Sequence, residues 1–508
     1  MNKQHLFFSL ALVIFGGYLG FTNCGTTSIM QNNDPGMQDQ AFDPRSALEV
    51  PLDIKNRRES LDPASAEEQA GGDSGQIATL VTQIETGHDH TCIVDFMGKV
   101  RCFGYNGSGQ LGLGDIENRG DESGEMGSNL PVVDLGTGMK ATQIAAGADH
   151  TCALLENQKV KCWGDNTSGQ LGLGDTIRRG GIPGQMGDNL PFVNLGGEQK
   201  VIQISAGYHF TCALLENHKV KCWGYNGSGI LGLGDTQTRG TQASHMGSNL
   251  PFVDLGSEGI VTQISSGNIH TCALIKPDLD ASGKVKCWGY NGVGQLGLGD
   301  TVHRGNQISQ MGSNLPFVNL GSLSNMVTKV DTDGNTTCVI VAGKVKCWGF
   351  NGSGQLGLED TDTRGDQVSD MGNNLPFAPI VGGNDYLVRD IDAGINHVCA
   401  IVELFGSVHV KCWGFNGSGQ LGLGDTDDRG DQAGEMGKLL PSVDLGTSYE
   451  PIQISAGKNH SCVLIQTQGT EIKCWGKADK GQIGTNNTYN KGDDANEMGT
   501  MLPFIVFM

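Results

Sequence analysis

The sequence predicts an all-β protein, a seven-bladed β-propeller, and three observations support this class. A unit marked by HTCAL, KVKCWG and GQLGLGD or close variants recurs seven times from Gln76 onward. Each unit contains short segments of alternating apolar and polar residues, which is the pattern of β-strands. Glycine makes up 79 of the 508 residues, which favours turns over helices. Small sheets that cannot bury both faces alone stack into a ring, so seven such units predict seven blades.

The chain begins with a segment typical of a bacterial export signal. Residues 1–24 carry Lys3, an apolar run over about 6–21, and Cys24 followed by glycine, which resembles a lipoprotein cleavage site. Phe21 and Asn23 depart from that pattern, so ordinary secretion and an uncleaved anchor are alternatives. Residues 25–75 are polar with few aromatic residues, which predicts a disordered tether. The propeller is expected over 76–508.

Four strands are expected in each unit. In the second unit these are ATQIAAG, HTCALLE, KVKCWG and LPFVNLG, separated by turn-forming residues. The chain ends in LPFIVFM, a strand-like segment that is expected to complete or close the ring.

The recurring pattern IxxGxxHTCAL followed by VKCWGxNxxGQLGLGD resembles the repeat of the regulator of chromosome condensation family. The resemblance extends over 76–508 and implies a seven-bladed propeller that binds other proteins through loops of one face. Two departures are visible: an inserted RGDxxxEMGxNLP segment lengthens the units, and every unit has a pair of cysteines. Nucleotide exchange on a small GTPase, the activity of the nuclear family member, is not expected for an exported chain of charge −21.

The fifteen cysteines comprise Cys24 and one pair in each unit. In CVIVAGKVKC a two-residue turn at Ala342 and Gly343 would place Cys338 opposite Cys347, about 4.5 Å apart between Cα atoms, which suits a disulfide. Free thiols and metal ligands are the alternatives, but zinc sites need clustered ligands. We predict seven hairpin disulfides: Cys92–Cys102, Cys152–Cys162, Cys212–Cys222, Cys272–Cys287, Cys338–Cys347, Cys399–Cys412 and Cys462–Cys474.

The recurring tryptophans and histidines are interpreted as structural. All six tryptophans occupy one repeat position, with Phe103 in the first unit, and are expected between blades. A histidine recurs at 90, 150, 270, 397 and 460, but Phe210 and Thr336 replace it in two units. A catalytic site needs one asymmetric constellation rather than a repeated residue.

The acidic loops could in principle bind calcium, but their spacing is not that of a calcium-binding loop. Pairing between the aspartate of each loop and the arginine four residues later is the preferred interpretation, as for Asp115 and Arg119. Arg-Gly-Asp occurs three times and matches an adhesion tripeptide, although other units vary it, so it is interpreted as drift of the repeat. The Asn-Gly-Ser triplets are interpreted as turns rather than glycosylation sites.

The residue after Trp-Gly (Phe-Gly in the first unit) is the candidate binding position. It is aromatic in five units, at Tyr105, Tyr225, Tyr290, Phe350 and Phe415, and is Asp165 or Lys477 in the other two. These residues would surround one end of the propeller, where aromatic side chains on rigid loops often dominate binding. Packing within the repeat is the alternative.

The sequence therefore predicts a non-enzymatic protein-binding platform at the bacterial cell envelope, without catalytic residues, metal or cofactor. An acidic chain without a basic stripe argues against nucleic acid as a partner. We expect a monomer with an unknown protein partner, held by a lipid at Cys24, or otherwise periplasmic or secreted. The alternatives are an envelope hydrolase or lyase with a site in the channel, marked by one blade with different polar residues, and a surface adhesin or structural protein.

Overall fold

A computed structural model describes residues 80–447 and 449–507. The predicted signal segment with Cys24 and the predicted tether at 25–75 lie outside these residues. Every named strand belongs to one of seven three-stranded antiparallel sheets, numbered here as blades 1 to 7 in chain order. Within the described part of the chain, no helix has the length and apolar character needed to cross a membrane.

The strands follow the chain from blade to blade. They are β1 (Val81–Thr86), β2 (His90–Asp95), β3 (Val100–Gly104), β4 (Ala141–Ala146), β5 (His150–Leu155), β6 (Val160–Gly164), β7 (Val201–Ala206), β8 (Phe210–Leu215), β9 (Val220–Gly224), β10 (Ile260–Ser266), β11 (His270–Lys276), β12 (Lys284–Gly289), β13 (Val327–Asp333), β14 (Thr336–Val341), β15 (Lys344–Gly349), β16 (Tyr386–Ala393), β17 (His397–Leu404), β18 (Ser407–Gly414), β19 (Glu450–Ala456), β20 (His460–Gln466) and β21 (Thr470–Gly476).

Among residues 80–447 and 449–507, the remaining regular structure consists of short 3-10 helices. They lie at Gly127–Asn129, Gly187–Asn189, Ala243–His245, Gly247–Asn249, Ile308–Gln310, Gly312–Asn314, Gly321–Leu323, Val368–Asp370, Gly372–Asn374, Gly437–Leu439 and Gly499–Met501. The first strand of each blade contacts the first strands of both neighbouring blades, and β1 contacts β4 on one side and β19 on the other. The seven sheets therefore form a closed ring, and the predicted seven-bladed propeller is confirmed.

The prediction of a fourth strand in each blade is wrong. The segment that begins at Leu190 and Pro191 runs beside β6, but it joins that strand through one backbone hydrogen bond, from Val193 N to Val160 O at 2.9 Å. The proline has no N–H to donate, and a 3-10 helix precedes the segment, so no ladder forms. Each blade is three strands with an extended outer segment.

The terminal segment belongs to blade 7. Ile505 N donates to Ile472 O at 2.9 Å, which is the bond that the outer segments of other blades make to their own third strand. Gly127 N of the first unit in turn donates to Val506 O at 2.9 Å. The chain end therefore completes the last blade, and the first unit then contacts it to close the ring without exchange of a strand.

All seven predicted hairpin disulfides are present. In each blade the two cysteines face each other across the second and third strands, as Cys338 faces Cys347 in β14 and β15. Their Cα atoms are 4.1 Å apart, somewhat closer than the expected spacing. The turn at Ala342 and Gly343 pairs Val341 with Lys344, which confirms the register derived from the sequence.

The tryptophans fill the spaces between blades, as predicted. Trp163 has no exposed surface and packs in one cluster with Val94 and Val100 of blade 1 and Ile144 of blade 2. Its indole Nε1 donates to Gln110 O at 2.9 Å, so its polar atom is satisfied by the loop that leaves the preceding blade. Blade-to-blade packing therefore depends on one repeated side chain.

Candidate binding face and central channel

The residues that follow Trp-Gly, or Phe-Gly in the first unit, all lie at one end of the propeller. In every blade the backbone N–H at this position donates to the turn between the first and second strands, at 2.7–3.0 Å. The pairs are Tyr105 to Asp89, Asp165 to Asp149, Tyr225 to His209, Tyr290 to Ile269, Phe350 to Asn335, Phe415 to Asn396 and Lys477 to Asn459. We call this end, defined by Tyr105, Tyr225, Tyr290, Phe350 and Phe415, the aromatic face.

Each aromatic ring on this face also packs within its own blade. The ring lies against the glycine two residues later, so that a Cβ atom on Gly227 would collide with the Tyr225 ring. Where the position is not aromatic, the glycine is also replaced, and Asp165 accepts a hydrogen bond from Thr167 Oγ1 at 2.7 Å. The aromatic residue and the glycine therefore act as a unit that fixes the orientation of the ring.

The aromatic face divides into two sectors. The apolar sector spans blades 3 to 6 and consists of Tyr208, Tyr225, Ile269, Tyr290, Phe350, Ile395 and Phe415. Tyr225, Tyr208 and Phe350 expose 43%, 38% and 37% of their surface, and the others are half-buried. The charged sector spans blades 7, 1 and 2; it contains Tyr105 and the charged residues Lys458, Lys477, Lys480, Asp89, Asp149, Asp165 and Arg178. An apolar partner surface would therefore fit one side of this face only.

Asp165 is the most fully hydrogen-bonded group in the charged sector. Its carboxylate accepts from Arg178 Nε at 2.8 Å and from Gln170 Nε2 at 2.7 Å. Burial alone would raise the pKa of Asp165, but the hydrogen bonds from Thr167, Arg178 and Gln170 outweigh it and lower that pKa below its usual value. The aspartate is thus held as a carboxylate where most blades have an aromatic ring.

The first strands of the blades line a central channel and are joined there by side-chain amides. Gln83 Nε2 donates to Ile144 O at 3.0 Å, and Gln83 Oε1 accepts from Ile144 N at 2.8 Å. The same paired contact to the next blade is made by Gln143, Gln203, Gln263 and Gln453. We call these five paired contacts amide clasps. Each one joins two neighbouring blades by a pair of hydrogen bonds to the backbone, as a neighbouring strand would.

Blades 5 and 6 replace the glutamine with a charged pair. Lys329 Nζ donates to Asp390 Oδ1 at 2.5 Å and to Ile391 O at 2.7 Å, so the ammonium makes the contact that an amide makes elsewhere. Burial by itself lowers the pKa of Lys329, but Asp390, Asp331 and Asp392 outweigh it and raise that pKa above its usual value. This part of the channel therefore carries fixed charge that the other blades lack.

Additional carboxyl groups surround this lysine. Burial, and then the charge of Asp331, raises the pKa of Glu85 to about 8. Burial also raises the pKa of Asp333 to about 7 and the pKa of Asp392 well above its usual value. Blade 5 therefore differs from the other blades in polar residues, which is the feature that we expected of a site in the channel.

The channel is bridged where it meets the aromatic face. His88 of blade 1 donates from Nε2 to Asn268 Oδ1 of blade 4 at 3.1 Å, and its ring packs on Tyr208 with centroids 4.9 Å apart. Burial lowers the pKa of His88 to about 4, so the ring is neutral at physiological pH. A residue at the centre of the face therefore links the charged and apolar sectors.

The acidic loops are held by internal ion pairs. Arg119 Nη2 lies 2.6 Å from Asp115 Oδ2, and the same i,i+4 pair recurs with 2.6–2.8 Å in blades 2 to 6. Asn106 Nδ2 donates to the same aspartate. The preferred interpretation of these loops is therefore confirmed. The arginine of each Arg-Gly-Asp tripeptide is one of these paired residues.

The amide clasps and the channel carboxyl groups were missed by sequence reasoning. Glutamine before isoleucine recurs in five units, and the fifth unit reads Lys-Val-Asp-Thr-Asp in its place, so a signal existed. Its meaning depends on contacts between blades, which no single unit contains. The five aromatic residues, by contrast, could be picked out from the sequence because each directly follows the Trp-Gly or Phe-Gly of its unit, and their role in binding stays a prediction.

Comparison with known proteins agrees with this architecture. Two sequence profiles of the regulator of chromosome condensation (RCC1) repeat match the chain, one at residues 81–110, 141–170 and 201–230, the other at 97–154, 159–214 and 409–464. The fold and repeats together define a propeller of RCC1 repeats. The chain belongs to the regulator of chromosome condensation repeat family.

Two curated relatives and two solved structures indicate the range of this similarity. The chain is 26% identical over 404 residues to the ultraviolet-B receptor UVR8 of Arabidopsis thaliana, covering 77% of this chain and 80% of the receptor. It is 30% identical over 348 residues to the human probable E3 ubiquitin-protein ligase HERC6, covering 68% of this chain but only 30% of that protein.

The structural similarity concerns the fold. Yeast RCC1 (Prp20) in its complex with Kap60 superposes with a TM-score of 0.58 at 17% identity, covering 92% of this chain and 90% of that one. Human WBSCR16 gives a TM-score of 0.55 at 19% identity, covering 77% and 88%.

Proposed function

We propose that this protein is a non-enzymatic protein-binding platform whose aromatic face holds its partner. The observation that carries the proposal is the apolar sector, where aromatic rings from adjacent blades are partly exposed on one rigid end of the propeller. Exposed aromatic side chains with fixed orientation lose little conformational entropy on binding. The flanking charged sector would set the orientation of the partner.

The relatives support a binding role. Yeast RCC1 has been solved bound to Kap60, and the yeast protein Prp20p has been studied for its binding to Gsp1p and histones. These are properties of those proteins, and they support a protein partner here without naming it. In the present chain, the exposed aromatic residues on the loops are a further reason to expect a protein partner.

The first experiment compares partner capture by two variants of the full-length chain, expressed with its leader. The first variant changes Tyr225, Tyr290, Phe350 and Phe415 to alanine. The control changes Leu279 and Phe405, which are 61% and 85% exposed in hairpins at the opposite end. We expect a stoichiometric partner from envelope and secreted proteins to be retained by the wild type and the control and lost by the first variant. Capture by all three chains, or by none, would remove the aromatic face as the binding site.

We further propose that the platform is exported and attached to the cell envelope through a lipid on Cys24, as the leader suggests. Metabolic labelling with an alkyne fatty acid tests this. The wild type should incorporate the label and fractionate with membranes, and Cys24→Ala should do neither. An unlabelled, soluble wild type would instead support ordinary secretion.

A second candidate function, a hydrolase or lyase site in the channel, is favoured by the polar residues that only blades 5 and 6 carry. Asp331 and Asp392 lie beside Lys329 there. Screening the wild type against Asp331→Asn on glycoside, ester and peptide substrates tests it. Turnover that the variant loses would support an enzyme over a platform.

A further inference from the structure

The seam between blades 6 and 7 lacks a hydrogen bond that the other blades make. In four interfaces a backbone N–H near the start of a first strand donates to a carbonyl in the hairpin of the preceding blade, at 2.8–3.2 Å. The pairs are Ala141 to Gly98, Val201 to Gln158, Val327 to Gly283 and Val388 to Gly343. At two further interfaces a side chain makes the link, from His218 Nδ1 to Val261 O at 3.0 Å and from Thr470 Oγ1 to Val81 O at 2.7 Å. Within the described part of the chain, blades 6 and 7 make no hydrogen bond at this position.

A proline explains the missing bond. Pro451 stands in blade 7 where Val201 and Val388 stand in blades 3 and 6, and a proline has no N–H to donate. The acceptor on the other side of the seam is the carbonyl of Val408, which holds the position of Gly343 in blade 5. The substitution therefore leaves this carbonyl without the donor that equivalent carbonyls have.

The edge of β18 presents unpaired backbone groups at the same place. Phe405 and Gly406 have φ angles of 50° and 80° and form a two-residue turn between Leu404 and Ser407. The residues that flank such a turn form a hydrogen-bonded pair, and hydrogen-bonded pairs then alternate along the hairpin. Val408 therefore points its N–H and C=O away from β17, and no other part of the described chain bonds to either group. Free backbone groups on an edge strand are a template for pairing with another strand.

A groove with apolar walls lies beside these backbone groups. Its volume is about 660 Å³, and the residues that line it include Val408, Val443, Leu445, Tyr449 and Pro451. Val443 and Leu445 belong to the core between the two blades. The ring of Tyr449 is half-buried and packs edge-on against Phe504, with centroids 5.3 Å apart. The groove can therefore take an apolar side chain against rigid walls.

The rim of the groove carries more negative than positive charge. Arg389 spans the two blades there, 3.0 Å from Glu403 and 3.1 Å from Glu450. Asp444 and His409 also line the groove. Three carboxylates thus surround one guanidinium and one imidazole, which favours a partner with a positively charged side chain.

We propose that the groove between blades 6 and 7 binds an extended peptide segment of a partner protein. The peptide backbone pairs with the outer edge of β18 at Val408, one apolar side chain enters the groove, and a lysine or arginine lies at the rim. Main-chain hydrogen bonds supply affinity in this mode of recognition, and side chains at alternate positions supply specificity. The groove lies beside a hairpin at the end opposite the aromatic face, so it is a second binding site that does not depend on the first.

The test begins with a phage-displayed library of random nine-residue peptides, panned on the full-length chain after depletion on Pro451→Val. Valine is the residue of blades 3 to 6 at this position, and its N–H should reach the carbonyl of Val408 and close the seam. We expect enriched peptides with a bulky apolar residue next to lysine or arginine. The synthetic peptide should bind the wild type at least tenfold tighter than Pro451→Val, as measured by fluorescence anisotropy. Pro131→Val, which is exposed in the outer segment of blade 1, is the matched control and should bind like the wild type.

A scan of backbone N-methylation tests the strand pairing. Methyl groups on alternate residues of the peptide should each weaken binding about tenfold, and those on the intervening residues should be tolerated, because only every second N–H faces β18. Glu450→Lys tests the charge, since lysine stands there in blades 2 and 3, at Lys140 and Lys200. It should weaken binding of the basic peptide about tenfold.

Four outcomes would overturn the proposal. They are a library without any peptide that prefers the wild type to Pro451→Val, N-methylation effects that do not alternate, unchanged binding to Glu450→Lys, and a wild-type dimer that Pro451→Val dissociates in sedimentation velocity. The last result would assign the groove to a second copy of the chain. The variant with alanine at Tyr225, Tyr290, Phe350 and Phe415 should bind the peptide like the wild type, so the groove and the aromatic face fail separately.

Discussion

The buried histidines illustrate how single residues join neighbouring blades. His90 Nε2 lies 2.9 Å from Thr151 Oγ1, and that hydroxyl donates to Gln110 O at 2.9 Å. Because the threonine hydrogen is used on the carbonyl, the histidine must donate from Nε2, which leaves its Nδ1 without a partner. Burial lowers the pKa of each of these five histidines to about 3. The repeated histidine is a neutral link between blades.

Exchanging histidine and phenylalanine at this position should change the acid sensitivity of the fold. His150→Phe loses one hydrogen bond at pH 7, worth about 1 kcal/mol, partly offset by burial of the phenyl ring. Below pH 6.5 the unfolded wild type binds a proton that the folded histidine cannot accept. Between pH 7 and 4.5 the free energy of unfolding of the variant should therefore rise by about 2–3 kcal/mol relative to that of the wild type, as measured by urea unfolding.

The reciprocal variant is Phe210→His, which faces Thr271 Oγ1, a buried hydroxyl without a partner among the described residues. It should gain a hydrogen bond at pH 7 and lose stability in acid. The same pH dependence in both variants and the wild type would contradict the role assigned to the histidine.

Residue roles were predictable where the repeat itself supplied the comparison. Six tryptophans at one position implied a shared core, and Phe210 and Thr336 marked the histidine as replaceable. The partner of that histidine was not predictable, because it lies on the next blade. The loss of the histidine in blade 5 is matched by a second substitution in blade 6. Thr336 stands at the histidine position, and Val398 stands at the position of the threonine that the histidine would face.

At the scale of the element, the inserted segment is held by a buried lysine. Lys161 Nζ donates to Leu135 O at 2.9 Å and to Gly187 O at 2.8 Å, and it lies 4.9 Å from the centroid of Phe192. One ammonium thus joins the preceding blade, the 3-10 helix and the outer segment. Sequence periodicity identified the outer segment as a strand because its apolar residues alternate. In the structure this segment is held by one backbone bond, from Val193 N to Val160 O, and by the contact of Phe192 with the lysine, and it forms no ladder.

The hairpin disulfides should contribute different amounts to the free energy of unfolding, according to the length of the loop that each one closes. Cys272–Cys287 closes a separation of 15 residues and Cys338–Cys347 one of 9. In the chain-entropy model each contributes about 2–3 kcal/mol, and the longer loop contributes about 0.4 kcal/mol more. Urea unfolding of the two double alanine variants measures this, with equal cavity effects because all four cysteines are fully buried. A larger loss for the shorter loop would show that strain or packing dominates instead.

At the scale of the whole molecule, ring closure uses the same contacts as every other interface between blades. His460 Nε2 lies 2.9 Å from Thr91 Oγ1, and Gln453 forms the amide clasp to Ile84. The interface between blades 7 and 1, which closes the ring, is therefore stabilised by the same repeated contacts as the other interfaces. A seven-unit count predicted the ring, but only the three-dimensional arrangement brings Glu85 of the first blade near Asp331 of the fifth.

The balance of buried histidines and channel carboxyl groups predicts a stability maximum at about pH 6–7. Below this maximum, histidines in the unfolded chain bind protons whereas the buried histidines of the folded chain stay neutral, so the free energy of unfolding decreases as the pH is lowered. Above it, the folded chain still holds protons on Glu85 and Asp333 that the unfolded chain has released, so stability falls until about pH 8. Thermal unfolding between pH 4.5 and 8.5 measures both limbs. The double variant Glu85→Gln, Asp333→Asn should flatten the alkaline limb and steepen the acid limb, because in the wild type these two folded carboxyl groups also hold protons between about pH 4.5 and 6 that the unfolded chain releases, which opposes the effect of the histidines. A double variant whose stability falls as steeply as that of the wild type above pH 7 would show that Glu85 and Asp333 are not the responsible groups and would leave Asp392 as the next channel residue to change.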